Sequence, residues 1–188
     1  MELLECMKNR RSVRQYREEH ISEKQIRCVL EAGLLAPSSR NLKPCTFYVI
    51  RDKKHLEELA SAKAAGGAFL GRADAAIVVC GDAERADTWI EDCAIAMTYM
   101  NLMAADQGIG CCWCQIHLRE TKDGKSAEDA VRAVLCLENR FRIVGILALG
   151  WPEKEPTPHG TDNLAWDCVH EIPDAMGKME EKRKDSDT

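Results

Sequence analysis

The sequence predicts a layered α+β domain, and two observations carry that expectation. Three runs, Thr46 to Ile50, Ala75 to Cys80 and Ile143 to Leu149, are apolar at both alternating phases, as strands are when helices cover both faces of their sheet. Around them lie stretches whose apolar residues recur at helical spacing. A length of 188 residues suits one domain with one core, expected here over residues 1–176. From Gly177 to Thr188 the chain is almost wholly polar and charged, without an aromatic residue, and is expected to be a disordered tail.

In chain order, Leu3, Leu4, Cys6 and Met7 form a short helical stripe that stops before the basic run Arg10-Arg11-Ser12-Val13-Arg14. Ser22 can cap a second helix, with Ile26, Val29, Leu30, Gly33 and Leu34 at helical spacing and Pro37 closing it. Ile90 to Ala105, with Ile95, Met97, Tyr99, Met100, Leu102 and Met103, is apolar nearly all round and must be buried on every side. Either it is a central core helix of the monomer, or a partner subunit supplies the missing contact surface. Gly108 and Gly110 end that helix, and Cys111 to Ile116 is expected to be a further strand. After Leu149, Gly150-Trp151-Pro152 and then Pro156, Pro158 and Gly160 predict an extended arm crossing the surface.

Composition removes several function classes. A net charge of -5 gives no electrostatic reason to bind nucleic acid or an anionic membrane, and no run is long and apolar enough to span a bilayer. Met1-Glu2-Leu3-Leu4-Glu5-Cys6 lacks the basic start and apolar centre of a secretory signal. The 10 cysteines are therefore expected to be free thiols of a cytoplasmic protein.

Two short segments carry the chemistry. In Arg10-Arg11-Ser12-Val13-Arg14-Gln15-Tyr16, guanidiniums and a hydroxyl at this spacing can surround a phosphate with charge-assisted hydrogen bonds, although a basic run on its own reads as a solvated face. In Ala36-Pro37-Ser38-Ser39-Arg40-Asn41, a helix end offers backbone, hydroxyls and an amide to a polar heterocycle, or simply a capped turn.

These two segments, their separation and the later Leu149-Gly150-Trp151-Pro152 resemble the FMN-dependent nitroreductase family, whose Arg-Arg-Ser-x-Arg-x-Tyr/Phe, Ala-Pro-Ser-x-x-Asn and Gly-Tyr-Pro recur in that order. The resemblance covers roughly the whole ordered chain. It implies a three-layer α+β fold, a central mixed sheet flanked by helices, and a homodimer with the C-terminal arm embracing the partner. It also implies FMN, with Arg10, Ser12 and Arg14 at the phosphate and ribityl chain and Arg11 nearby. Pro37, Ser38, Ser39 and Asn41 would approach the flavin ring from the other subunit. Cys114, Gln115 and Ile116 would turn backbone N–H groups toward the N5 and O4 edge, stabilising the reduced ring. Leu149 and Gly150 would lie beside the phosphate, Gly150 because its missing Cβ admits the cofactor.

One departure is plain. The family often places Lys or Arg shortly after Gly-Tyr-Pro, whereas Thr157, Pro158, His159 and Gly160 stand here, so the phosphate charge must rest on Arg10, Arg11 and Arg14. Cys112, Cys114 and His117 do not suit a metal, because strand alternation turns His117 away from the two thiols. No Gly-x-Gly-x-x-Gly follows a strand and no Ser/His/Asp set is visible, so NAD(P)H must visit an open site and hydrolase chemistry is not indicated. Lys63 to Leu70 suits a mobile cover over a pocket, or a plain helix end.

The expected function is that of an FMN-dependent oxidoreductase passing electrons from NAD(P)H to a small acceptor, a nitroaromatic or a quinone, by ping-pong kinetics with no catalytic side chain. The rivals are a flavin-binding or regulatory module without turnover, and a dehalogenase or flavin-consuming member of the same superfamily.

Overall fold

The computed structural model describes residues 2–162 and 164–172, so the tail over 177–188 lies outside the described residues. Its elements run α1 (Leu3–Asn9), α2 (Glu23–Leu35), β1 (Cys45–Ile50), α3 (Lys53–Ser61), β2 (Ala75–Asp82), α4 (Trp89–Asp106), β3 (Gly110–Gln115), α5 (Ala127–Leu135) and β4 (Phe141–Gly150). The strands form one four-stranded sheet in the order β1-β2-β4-β3, with every neighbouring pair antiparallel. Among the described residues the sheet is mixed only through a single parallel bridge, Ser12 to Cys111, at its β3 edge.

Strand alternation builds two cores. On β2, Ala76, Val78 and Cys80 join Leu56, Leu59 and Val131 on one face, while Ala75, Ile77 and Val79 meet Ile26, Val29, Met97 and Met100 on the other. Helices α3 and α5 thus cover one face and α2 and α4 the other, which makes three layers. Both phases of the strand runs are apolar because both faces are covered.

Local chemistry fixes the ends. Ser22 accepts a hydrogen bond from the Gln25 N–H while the Gln25 side chain accepts from the Ser22 N–H, a capping box. At the other end Ala36 is extended, as the residue before Pro37 must be, and α2 stops at Leu35. Helices α3 and α5 were not anticipated. Their signals are the side-chain caps Asp52 and Ser126, each followed by only two turns of helix with two well-spaced apolar residues, Leu56 and Leu59, or Ala127 and Val131.

One expectation needs correction. Helix α4 is not buried on every side of this chain: its inner face, with Cys93, Ala96, Met97, Met100 and Ala104, packs against the sheet and α2, but Ile90, Ile95 and Tyr99 are 37–43% exposed. A sheet covers only one side of a helix, and α2 shields one flank. The reading as a central helix of the monomer therefore fails. The arm after Leu149 crosses the surface of its own chain beside the basic run. The Arg17 N–H donates to the Trp151 carbonyl (2.9 Å), the Glu153 N–H to Gln15 (3.1 Å) and the His159 N–H to Lys8 (2.8 Å). Beyond this stretch Leu164, Trp166, Val169 and Ile172 are exposed.

Candidate functional site

The basic run is held straight along the free edge of β3. The Val13 N–H donates to the Cys111 carbonyl (2.9 Å), and Ser12 pairs with Cys111 in the parallel bridge. Extended backbone sends alternate side chains to opposite sides, so Arg10, Ser12 and Arg14 share a side. They converge on the Cys112 thiol: burial raises its pKa, while the Arg14 charge, the Ser12 hydroxyl and Arg10 act to lower it. The Arg14 guanidinium also lies 5.8 Å from the Phe69 ring centre. Lys63 acts on Cys114, and the Cys114 Sγ is 3.9 Å from the Gly66 carbonyl oxygen, so residues 63–69 close over this side of β3.

The cluster is cationic and carries a hydroxyl, the donor set that a phosphate monoester requires. Arg11 points elsewhere, donating to the Thr157 carbonyl at 3.1 Å and securing the arm. A cavity of about 680 Å³ lies behind the run, between Arg10, Arg11, Arg17, Trp151 and Pro158, so Arg10 borders both sides of the run, but Glu153 and Glu155 also line this cavity and offset its arginines. The Ser12–Arg14 side is the better anion seat.

At the end of β3 the three expected residues divide by strand parity. Because the Cys111 carbonyl faces outward, the backbone groups of Trp113 and Gln115 also face the free edge, whereas Cys114 pairs with β4 and the Ile116 N–H donates to Val144 (3.2 Å). Gln115 thus presents its amide at the open edge. Its side chain is fixed by the Trp113 Nε1–H (2.9 Å) and by donating to the His117 carbonyl (3.1 Å). The side chains of Cys114 and Ile116 belong to the core on the α3 and α5 face.

Leu149 is fully buried and accepts from the Asp74 N–H at 3.0 Å. Gly150 lies against Tyr16. A Cβ there would lie 2.6 Å from the Tyr16 ring, so the missing atom admits Tyr16. Tyr16 in turn donates to the Val13 carbonyl (2.6 Å) and stiffens the basic run.

The second segment sits at the opposite edge of the sheet, where it leads into β1. Its backbone is unusual: Arg40, Asn41 and Lys43 have φ of 50°, 55° and 48°. The loop is pinned by the Ser39 N–H donating to Asp92 Oδ1 (2.9 Å), by the Lys43 N–H donating to Ser38 Oγ (2.9 Å) and by an Arg40–Asp87 ion pair. Pro37 and Asn41 are exposed, and Ser38 and Ser39 half-buried. Asp92, only 3% exposed, was not anticipated as the anchor; a carboxylate in the first turn of an otherwise apolar helix is the signal that could have found it. Four strands spaced about 4.8 Å apart separate the two edges by roughly 14 Å, so one chain does not bring Ser12 and Asn41 together.

His117 engages Glu128, its Nδ1 2.8 Å from Glu128 Oε1, and its ring stands edge-on to Trp89. Among the described residues no group of three or more His, Cys, Asp or Glu side chains could hold a metal ion, and no helix is long and apolar enough to cross a membrane.

Comparison with known proteins agrees with this geometry. A model of the nitroreductase family matches residues 7–69 and 61–151. A protein of Archaeoglobus fulgidus, provisionally named NADH dehydrogenase/NAD(P)H nitroreductase, is 34% identical over 166 residues, 85% of this chain and 92% of its own. The structure of an FMN-dependent nitroreductase from Clostridium difficile R20291 superposes with a TM-score of 0.88 at 33% identity, over 91% of this chain and 99% of that one. A provisionally named nitroreductase from Desulfovibrio desulfuricans, solved in complex with FMN, superposes with a TM-score of 0.75 at 26% identity, over 93% and 98% of the two chains.

Proposed function

Since this chain belongs to the nitroreductase family, we propose that it is a cytoplasmic FMN-dependent oxidoreductase, a single domain over 1–176 that works as a homodimer. It takes reducing equivalents from NAD(P)H and passes them to a small acceptor such as a nitroaromatic or a quinone. The observation that carries this reading is the convergence of Arg10, Ser12 and Arg14 beside the open edge of β3.

FMN, when bound, would supply the two-electron redox chemistry between nicotinamide and acceptor, for which ping-pong kinetics are expected. The chain's residues bind and orient. Arg10 and Arg14 neutralise the phosphate, and Ser12 donates a hydroxyl beside them. Arg11 acts through the arm it secures, Gly150 through the placement of Tyr16, and Leu149, Cys114 and Ile116 by keeping the sheet packed. The Gln115 amide, open at the β3 edge, would donate toward the ring edge and favour negative charge there. Phe69 and the 63–69 segment limit water on the Cys112 side. Pro37, Ser38, Ser39 and Asn41 come from the second subunit, because a two-fold partner can bring the β1 edge of one chain to the β3 edge of the other. The exposed stripe Ile95 and Tyr99, with Leu34 and Leu35 beside it in sequence-distant α2, supports such a contact.

The test is direct. Purified protein should be yellow, release FMN and not FAD on denaturation, and oxidise NADH or NADPH with menadione or nitrofurazone. Protein that is colourless and takes up no added FMN would refute the reading.

A further inference from the structure

Two cysteines outside the proposed flavin site are placed for chemistry with each other. Cys45 opens β1 and Cys93 sits one residue after Asp92 in α4, with their sulfur atoms 3.5 Å apart. The approach depends on Gly81, the cross-strand partner of Cys45. A Cβ on Gly81 would lie 3.1 Å from the Cys93 Sγ and 2.7 Å from the Trp89 ring, so the bare backbone is what lets α4 bring Cys93 down beside Cys45. A disulfide bond is about 2.0 Å long, so the sulfurs need to close by roughly 1.5 Å.

The two thiols are unequal. Cys93 is fully buried, whereas Cys45 is half-buried and lines a cavity of about 50 Å³ with Ser38, Lys43 and Asp92, room for a molecule the size of hydrogen peroxide. Hydrogen bonding from Cys93 lowers the pKa of the Cys45 thiol, against its burial and the Asp92 charge, which makes Cys45 the attacking sulfur. Other cysteines lack this arrangement: Cys111 and Cys80 are pushed up to about 12 by burial.

We propose that Cys45 and Cys93 are an oxidisable pair, converted by hydrogen peroxide into a reversible disulfide that ties the 38–43 loop to α4. In the first step the Cys45 thiolate attacks a peroxide oxygen, the O–O bond breaks, Cys45 becomes a sulfenic acid, and the departing hydroxide regains the proton that the Cys45 thiol had released and leaves as water. In the second the Cys93 sulfur attacks the Cys45 sulfur, the S–O bond breaks, and the hydroxide departs with the Cys93 proton as a second water. Two thiols are oxidised and one peroxide is reduced. A cellular dithiol returns the pair by exchange.

The consequence lies in the loop. Ser38 to Lys43 is held at one end by Cys45 and at the other by the Ser39 contact to Asp92, the residue before Cys93. Linking the two cysteines fixes both anchors to each other. That this alters flavin binding rests on the function proposed above; the disulfide itself does not.

The experiment treats native, fully reduced protein with stoichiometric hydrogen peroxide, then maps peptides and follows amide exchange. The expected result is a loss of two hydrogens in mass, a Cys45–Cys93 linked peptide pair that dithiothreitol releases, and severalfold slower exchange at the Ser39 and Lys43 amides. In Cys93→Ser, the Cys45 sulfenic acid persists and is trapped by dimedone; Cys45→Ser gives neither product and guards against misfolding of the first variant. Linkage only in denaturant, pairing of Cys93 with Cys80, or Cys45 left as a thiol overturns the proposal. FMN titration of both oxidation states separates the two ideas: absence of FMN binding in the reduced protein would refute the flavin assignment while leaving the linked peptide standing.

Discussion

Glu128 and His117 face each other across the end of β3, with Oε1 of Glu128 2.8 Å from Nδ1 of His117 and the Arg142 guanidinium on the same carboxylate at 2.9 and 3.0 Å. Burial by itself would raise the Glu128 pKa, but the bonds from Arg142, His117 and the Ile143 N–H outweigh it and bring the carboxyl to about 2, from an ordinary 4.5. A carboxyl with a depressed folded-state pKa stabilises the fold fully above its unfolded value and loses that contribution as pH falls from about 4.5 toward 2. The loss should be on the order of 2–3 kcal/mol. Urea unfolding at near-neutral pH and at about pH 3 would measure it, and Glu128→Gln should start less stable and change less between the two. Parallel stability losses in wild type and variant would place the acid sensitivity elsewhere.

Arg10→Ala or Arg14→Ala should preserve the fold and weaken FMN binding, because each removes one charge-assisted phosphate contact worth about 1.5–3 kcal/mol. That is roughly one to two decades of affinity. Fluorescence titration of the apoprotein reads it directly. Wild-type affinity in both variants would move the phosphate to another seat, the cavity beside Arg11 and Arg17 first.

Gly150→Ala should cost about 1–3 kcal/mol of stability, since the new methyl meets the Tyr16 ring at 2.6 Å. Gly160→Ala, where a Cβ has nothing within 4 Å, is the matched control. The double variant Gly150→Ala/Tyr16→Ala should lose less than the sum of its parts, because the clash goes with the ring. Additive losses would mean that the two residues do not constrain one another.

Ile95→Glu and Tyr99→Glu place charge on the outer stripe of α4 without entering the core of the chain. Each should halve the sedimenting mass at micromolar concentration and leave the far-ultraviolet spectrum unchanged. A dimer as tight as wild type in both variants would put the subunit contact on another face.

Most of the layered architecture was legible because the strands announce themselves twice, once for each covered face: Ala75 to Cys80 is apolar at both phases, and the structure sends those phases into two different cores. The family motifs located the basic run and the 36–41 loop. What the sequence did not disclose is relational. Strand parity decides that Gln115, and not Cys114 or Ile116, faces the open edge, and parity depends on which β3 residue Val13 meets. The role of Gly150 depends on Tyr16, 134 positions earlier, a distance over which no local pattern carries information. The same holds for Asp92, whose partner Ser39 lies 53 residues away. Short, weakly apolar α3 and α5 escaped because two turns give too few repeats to reveal a period.

The left-handed backbone at Arg40 and Lys43 sets thermal endurance against the order of its loop. A side chain in that region costs roughly 1–2 kcal/mol relative to ordinary helix or strand, a penalty glycine escapes. The loop keeps its shape because Asp92, Ser38 and Asp87 hold it there. A laboratory selection for heat resistance alone would therefore drift toward glycine at positions 40 and 43, and its winners would lose the Arg40 tether to Asp87. Amides across residues 38–43 of such winners should exchange faster, because relief of the backbone comes at the loss of a tether that shapes the loop.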